Sequence, residues 1–344
     1  MGLRDYIIRR LILVVPIVLG AILLVFVITQ LIPVGARAML YVRSEKDLNS
    51  IDAIIAGHHL NESALYQFGG WLAELLTGDL GWSQTAHGQV MSVMLSRWPA
   101  TIEIVVYAAP LIIFLGIYLG VVAAVHRDKP ADHITRLFSI AGYSLPSFWL
   151  GFVFLAITYL LTGQQLLGRV SLDNSLIIAN SFLWHRYTGL YTIDALLNGN
   201  LSIFADALKH LVLPVSVIVI INCAMLIRLM RSSMLEALTK GYVVAARAKG
   251  LKKSQVVNKH ARRNALIPVV TVSGLMVAGL LSGLLITETV FAFQGIGQWA
   301  ANATVRLDIA AVIGFTLFTG LVFVISNLLV DILYAYIDPR IRLG

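Results

Sequence analysis

Six runs of twenty or more mostly apolar residues, at 11–32, 101–125, 137–161, 208–227, 266–287 and 309–334, constrain this chain more than any other feature of it. About 20 apolar residues is the length an α-helix needs to cross a bilayer's hydrocarbon core. In lipid only helices and closed barrels satisfy their own backbone. The runs therefore predict an all-α, polytopic membrane protein with six transmembrane helices. Composition agrees: 58% of residues are hydrophobic and 13% charged, whereas soluble domains run at roughly 45–50% and about 25%. The first run follows a basic start, as a signal peptide does. It is longer than the ~7–15 residues of a signal core and no small-residue cleavage site follows, so it reads as a retained span.

Lys and Arg are placed unevenly, and this sets an expected orientation. With six spans both termini share a side, and that side collects eighteen of the 26 basic residues. Cytoplasmic loops carry the excess of Lys and Arg, so both termini are expected in the cytoplasm. Ten of the eighteen lie in 228–263 against a single acid, Glu236. The other side receives two long segments, 33–99 and 163–207. The first holds an amphipathic stretch at 63–76 with Trp71, and the second holds Trp184, Tyr187 and Tyr191. Those aromatic residues fit membrane-interface anchors or contacts with an extracytoplasmic partner. The glycines of the fifth run (Gly274, Gly279, Gly283) permit close helix approach, and Pro110 and Pro214 interrupt the second and fourth. No internal repeat or low-complexity tract divides the chain, which reads as one transmembrane domain over 1–344.

The basic segment predicts two short helices. Residues 232–249 contain few helix breakers and Gly250 sits where a C-terminal glycine belongs. Ser254 is placed to cap a second helix starting at Gln255. In the first helix Tyr242, Ala246 and Gly250 stack at i, i+4 with Ala245 beside them, a face of small residues that a partner surface can approach. Positive-inside charge and attraction to anionic lipid both account for the cations. Neither accounts for the small residues between them.

That pattern, Tyr242-Val-Val-Ala-Ala-Arg-Ala-Lys-Gly-Leu251 followed by His260-Ala-Arg-Arg-Asn-Ala-Leu-Ile-Pro268, resembles the cytoplasmic loop of binding-protein-dependent ABC transporter permeases. It is most similar to the dipeptide/oligopeptide branch (first permease subunit type). The family pattern Glu-Ala-Ala-x3-Gly falls on Val244 to Gly250, with Val244 in place of the acid, and the later Ile-x-Leu-Pro falls on His260 to Arg263. Both departures are typical of the peptide branch. Further similarity covers most of the chain: Arg9-Arg10-Leu-Ile-Leu, Thr77-Gly-Asp-Leu-Gly-Trp-Ser83, Arg97-Trp-Pro-Ala-Thr-Ile-Glu103, Ser144-Leu-Pro-Ser-Phe-Trp-Leu-Gly151, Glu288-Thr-Val-Phe291 with Gly295-Ile-Gly297, and Asp338-Pro-Arg-Ile-Arg342. Two departures stand out. Val34-Gly35-Ala36 replaces the usual Gly-Asp-Pro, and Gln294 stands where the branch usually has Pro.

The resemblance implies a type I ABC importer permease fold and a non-catalytic subunit of the cell membrane. In it, 228–265 is the cytoplasmic coupling loop, and Tyr242, Val244, Ala245, Ala246, Arg247, Ala248, Lys249, Gly250 and Leu251 dock an ATP-binding subunit. Implied partners are a second homologous permease subunit, two ATP-binding subunits and an extracytoplasmic substrate-binding protein. ATP and Mg belong to the ATP-binding subunits; consistently, the chain has no Gly-x4-Gly-Lys-Ser/Thr phosphate loop. The branch serves peptides and also oligosaccharides, nickel and glutathione.

Other readings carry less. Gly295-Ile-Gly-Gln-Trp-Ala300 fits the letters of a dinucleotide fingerprint but follows a membrane span and no strand. His58, His59 and Glu62 in a polar loop read as solvated in preference to metal-ligating. An ion-coupled carrier would show paired midplane charges and inverted repeats, and a nucleic-acid binder would interleave aromatics with its cations. Of the polar residues in or near spans (Glu103, Asn222, Asn327, Asp331), Glu103 and Asp331 are expected near span ends in structural pairs. Asn222 is expected either to line a translocation path or, as the preferred reading, to bond a neighbouring helix.

Overall fold

The computed structural model describes residues 3–43, 47, 49–180, 182 and 184–337. Arg10, Asp331 and the 338–342 tail, all named above, lie outside the described side chains, as do Arg4 and Lys46 of the charge count. In chain order the helices are α1 (Leu3–Gln30), α2 (Val34–Ala38), α3 (Ile51–Gly57), α4 (Ala64–Leu76), α5 (Val90–Val125), α6 (Pro130–Ser144), α7 (Ser147–Thr162), α8 (Leu172–Asn180), α9 (Tyr191–Leu197), α10 (Leu201–Thr239), α11 (Gly241–Ala248), α12 (Lys253–Leu281), α13 (Leu285–Val290), α14 (Ile296–Val305) and α15 (Ile309–Ile337). Two short strands, β1 (Trp82–Ser83) and β2 (Gly88–Gln89), pair antiparallel with Trp82 opposite Gln89.

Among the described residues, five helices are each long and apolar enough to cross a membrane: α1, α5, α10, α12 and α15. The expected span 137–161 is not one helix. It is the bent pair α6–α7, turned by 102° at Leu145-Pro146. Pro146 has no N–H to donate and pushes the residue before it out of the helical region; Leu145 is extended, with ψ 128. The fifth expected span also stops early, at Leu281, and Thr287 belongs to the separate α13. Pro110 and Pro214, by contrast, sit inside the continuous α5 and α10.

At 36 and 39 residues, α5 and α10 run about 54 and 58 Å at ~1.5 Å per residue. A hydrocarbon core is only ~30 Å thick, so both helices project beyond it. Together with α12 they form the main core. Glycine makes the α5–α10 seam possible: a Cβ on Gly116 would lie 2.6 Å from Leu226 Cβ, and one on Gly120 would lie 2.5 Å from Met230 Cβ. Small residues four apart facing large ones four apart let two backbones approach closely. In the fifth run Gly274 similarly meets Val330 of α15, but Gly279 meets nothing, so only part of the expected glycine face is used.

The described residues of 33–99 are folded. Asp308 is buried just before α15, and its Oδ2 accepts from Ser83 Oγ (2.7 Å), Thr85 N (2.9 Å) and Thr85 Oγ1 (2.8 Å). The hairpin is thereby pinned to the start of the last helix. The first amphipathic stretch forms α4, where Phe68 and Trp71 pack on Phe26 of α1.

Candidate coupling surface and outer cavity

The basic segment is built by interrupting α10. Lys240 adopts an extended backbone (ψ 148) that ends the 39-residue helix, and the chain restarts at once as α11. The end of α11 is a Schellman turn. Leu251 N donates to Ala246 O (3.3 Å) and Gly250 N to Arg247 O (2.9 Å). Gly250 sits at φ +74, a left-handed backbone that glycine adopts without strain. The next helix starts at Lys253 with Lys252 at its N-cap position, so Ser254 lies inside α12 and does not cap it. Residues Val256–Ala261 form a π turn before α-helical geometry resumes at Arg262.

The orientation of α11 differs from the i, i+4 stack expected from sequence. Val243 and Ala246 are the buried pair, packed with Val256, Val257 and Ala261 of α12. Tyr242, Val244, Ala245, Arg247, Ala248, Lys249, Gly250 and Leu251 are exposed. Ala246 therefore seats the helix on its own chain, and the accessible small-residue face is Ala245 and Ala248, flanked by Val244 and the cations.

Three of the ten cations are engaged within the chain. Arg231 forms a bidentate pair with Asp132 at the start of α6 (2.7 and 2.8 Å), and Asp132 is completely buried. Arg228 lies over the Tyr143 ring at 4.4 Å. Lys240 pairs with Glu236 at 2.9 Å. These contacts tie the approach to α11 to α6. They leave the charges of α11 and of the start of α12 without ion pairs among the described residues.

At the opposite end of α10 lies a buried polar cluster. Glu103 is in the interior of α5 and only 1% exposed, not at a span end reaching water. The expected pairing holds, with Arg169 as partner. Glu103 Oε2 accepts from Arg169 Nη2 (2.6 Å) and Nε (3.1 Å), while Oε1 accepts from Thr192 N (2.7 Å) and Thr192 Oγ1 (2.9 Å). The Tyr191 ring covers the same guanidinium at 3.6 Å, and Arg169 Nη2 also donates to Gly189 O. Asp194, buried at α9, accepts from Thr188 N, Thr188 Oγ1 and Gly189 N. The described residues of 163–200 thus form a folded cap on α5.

The Glu288 and Gly-Ile-Gly motifs form one unit with Thr101. Glu288 is fully buried; its Oε1 accepts from Thr101 Oγ1 (2.6 Å) and Leu284 N (3.2 Å), and its Oε2 accepts from Gln298 N (2.7 Å). Thr101 Oγ1 in turn accepts from Ile296 N (3.1 Å). The carboxylate therefore satisfies the open N-terminus of α14 and links it to α5 and α13. Gly295 is required because any Cβ there would collide with that carboxyl group. Burial raises the Glu288 carboxyl above the usual carboxylate range, against the pull of these donors. The glycines serve packing and capping, which accounts for the fingerprint letters without a dinucleotide.

Beside this unit a cavity of ≈ 680 Å³ opens between the first turns of α5, the 168–191 segment and 292–294, with Arg97, Arg169, Trp184, Arg186, Tyr191 and Gln294 in its wall. Asn222 bonds its own helix, Nδ2 to Ile218 O at 2.9 Å, and no neighbouring helix among the described residues, where the preferred reading expected one. Its side is exposed to a separate cavity of ≈ 340 Å³ between α10, the start of α7 and the 280–287 segment. His58 stacks on Tyr41 (3.6 Å between ring centroids) and contacts Glu74 through Nδ1 at 3.2 Å.

Sequence reasoning missed Arg169, Val243 and the Arg231–Asp132 pair. Thr101 and Glu288 stood in recognisable motifs, whereas nothing local marks Arg169, 66 residues from its partner.

Comparison with known proteins places this architecture. Residues 116–343 match the family model described as "Binding-protein-dependent transport system inner membrane component". The chain is 38% identical over 330 residues to a probable D,D-dipeptide transport system permease protein of Escherichia coli (strain K12), covering 95% of this chain and 94% of the relative. It is 37% identical to a dipeptide transport system permease protein of the same organism, with 98% of each chain covered. An oligopeptide transport system permease protein of Bacillus subtilis (strain 168) is 31% identical over 99% of this chain and 100% of its own length. With five long apolar helices, a bent sixth pair and full-length similarity to permeases, this chain belongs to the family of binding-protein-dependent transport system inner membrane components.

Proposed function

We propose that the chain is the permease subunit of an ATP-driven importer of short peptides, forming half of a pore completed by a second homologous permease. The relatives' names, dipeptide and oligopeptide permeases, support the solute class. One observation carries the mechanism: α11 is seated on α12 by Val243 and Ala246 while its other face, with Ala245, Ala248 and unpaired cations, stands free. Small side chains admit a close partner surface, and free Arg and Lys pair with acids on it. The partner is an ATP-binding subunit, two of which bind and hydrolyse ATP with Mg. The end carrying α11 is cytoplasmic, by its excess of Lys and Arg. An extracytoplasmic substrate-binding protein delivers solute at the other end.

Movement passes along bonded elements. A shift of α11 acts on α12 through the Val243–Val256/Val257 contact, and a shift of α10 acts on α6 through Arg231–Asp132. Binding energy can only bias states the protein already possesses, and the Lys240 break and the Gly250 turn are the joints at which α11 is separated from its long neighbours. The chain itself does no covalent chemistry in this reading.

The test is substitution of the free face. Ala245→Trp and Ala248→Trp are expected to leave the chain folded and inserted but to abolish stimulation of ATP hydrolysis by loaded binding protein, together with peptide uptake. If both activities survive both substitutions, the docking assignment is wrong.

A further inference from the structure

The charge of the ≈ 680 Å³ cavity is lopsided. Three arginines stand in its wall, Arg97, Arg169 and Arg186, and among the described residues no acid does. The two nearby buried carboxylates are occupied elsewhere: Glu103 by Arg169 and Thr192, Asp194 by Thr188 and Gly189. Arg169 is neutralised by Glu103, which leaves Arg97 and Arg186. Arg186 gives one bond, from Nη2 to Ser96 O at 3.1 Å, which holds its guanidinium against the residue preceding Arg97. Arg97 itself makes no hydrogen bond or ion pair among the described residues. A half-buried guanidinium with no internal partner, reinforced by a second, fits an incoming carboxylate, which takes both donors of the planar fork. Trp184 and Tyr191 supply apolar wall, and Gln294 supplies a neutral donor and acceptor. Gln294 is one of the positions at which the sequence departs from the pattern it resembles. The volume lies in the ordinary range of small-molecule sites, about 300–1,000 Å³.

We propose that this cavity receives the free carboxylate of a small solute, with Arg97 as the group that binds it and Gln294 as the neighbouring polar contact. The inference rests on the reading of the chain as a peptide permease and names the chemical group that reading leaves unspecified.

The probe is alanyl-alanine against its C-terminal amide, titrated calorimetrically into the full chain assembled with its partner subunits in nanodiscs, without the substrate-binding protein. The acid is expected to bind at least about ten-fold tighter than the amide. Arg97→Gln should weaken the acid by about ten- to a hundred-fold, the loss of one charge-assisted hydrogen bond, and leave the amide unchanged. Arg97→Lys, which keeps the charge without the fork, should fall between and controls for misassembly. Equal affinity for acid and amide, no binding of either, or an unaltered Arg97→Gln overturns the proposal. It is equally overturned if Arg97→Gln leaves the titration unchanged and weakens capture of the substrate-binding protein, because the occupant is then an acidic side chain of that protein. Uptake of alanyl-alanine by the wild-type complex with its binding protein separates the two levels. Lost uptake with acid-selective binding intact removes the peptide reading alone, and uptake without acid-selective binding removes the cavity assignment alone.

Discussion

Removing Arg169 tests whether the outer cap is held by charge. Glu103 is 1% exposed and its Oε2 takes two bonds from Arg169, whose own side chain is 11% exposed. Both charges are therefore largely out of water. Breaking such a pair by deleting one partner costs about 3–5 kcal/mol, whereas removing both charges together is close to neutral. Arg169→Met should thus destabilise the chain by about 3–5 kcal/mol, because a bare carboxylate stays in a dry site. Glu103→Gln alone should cost about 2–3 kcal/mol: its amide oxygen still accepts from Thr192 N and Oγ1, but Arg169 keeps only Gly189 O and the Tyr191 face. The double variant keeps the Thr192 bonds and buries no unpaired charge, so it should lie within about 1–2 kcal/mol of wild type. The assay is equilibrium unfolding of the purified chain in mixed micelles with rising SDS, followed by circular dichroism. Single substitutions costing under ~1 kcal/mol, or costs that simply add in the double variant, would show that packing of the 163–200 segment holds the cap and that the ion pair contributes little.

Two further outcomes follow from named contacts. Gly120→Ala places a methyl 2.5 Å from Met230 Cβ and 3.0 Å from Ile227 O, so it should destabilise by about 1–3 kcal/mol through overpacking, and the same change should cost less in a Met230→Gly background, which lacks that Cβ; a neutral Gly120→Ala would mean that the α5–α10 seam gives way without strain. Glu288 has its carboxyl raised by burial, so its contribution is fully present below the unfolded value of about 4.3 and is lost as pH rises through the higher folded value. Glu288→Gln should flatten that part of the stability–pH curve and also lower stability, because an amide nitrogen would face Gln298 N; an unchanged pH profile refutes the role given to this group.

Much of the architecture was legible because membrane insertion writes long, simple signals. Apolar length located the five long helices and the bent α6–α7 pair, and charge located the segment that holds α11, whereas the break at Lys240 inside the helix expected over 232–249 left no mark in the charge pattern. What escaped has physical reasons. The break at Pro146 lies inside a run that is apolar on both sides, so hydropathy passes over it and only the proline's effect on Leu145 marks it. The starts of α5 and α10 lie outside the apolar runs, at Val90 and Leu201, because these helices continue past the hydrocarbon into the folded outer segments. Gly250, Glu288 and the Gly-Ile-Gly motif were visible as letters, but their work became clear only with their partners. Arg169 meets Glu103 across 66 residues, and no periodicity reports such a contact.

The coupling surface shows the limit most sharply. Successive residues on a helix turn by about 100°, so Tyr242 and Ala246 lie about 40° apart while Val243 and Ala246 lie about 60° apart. Either pair defines an acceptable face, and the alanines at 245, 246 and 248 spread around nearly half of the circumference. Small residues permit close approach without saying to what, and the chain's own α12 competes with any partner for them. Val243 decides the matter. It is the β-branched residue that gains most by burial among Val256, Val257 and Ala261, and once it turns inward Ala246 must follow, leaving Ala245 and Ala248 outside. A bulky residue at 246 would therefore unseat α11 from its own chain, and one at 250 would strain the left-handed turn at φ +74. Neither reports on docking. The residues that do are those the intramolecular contact leaves free.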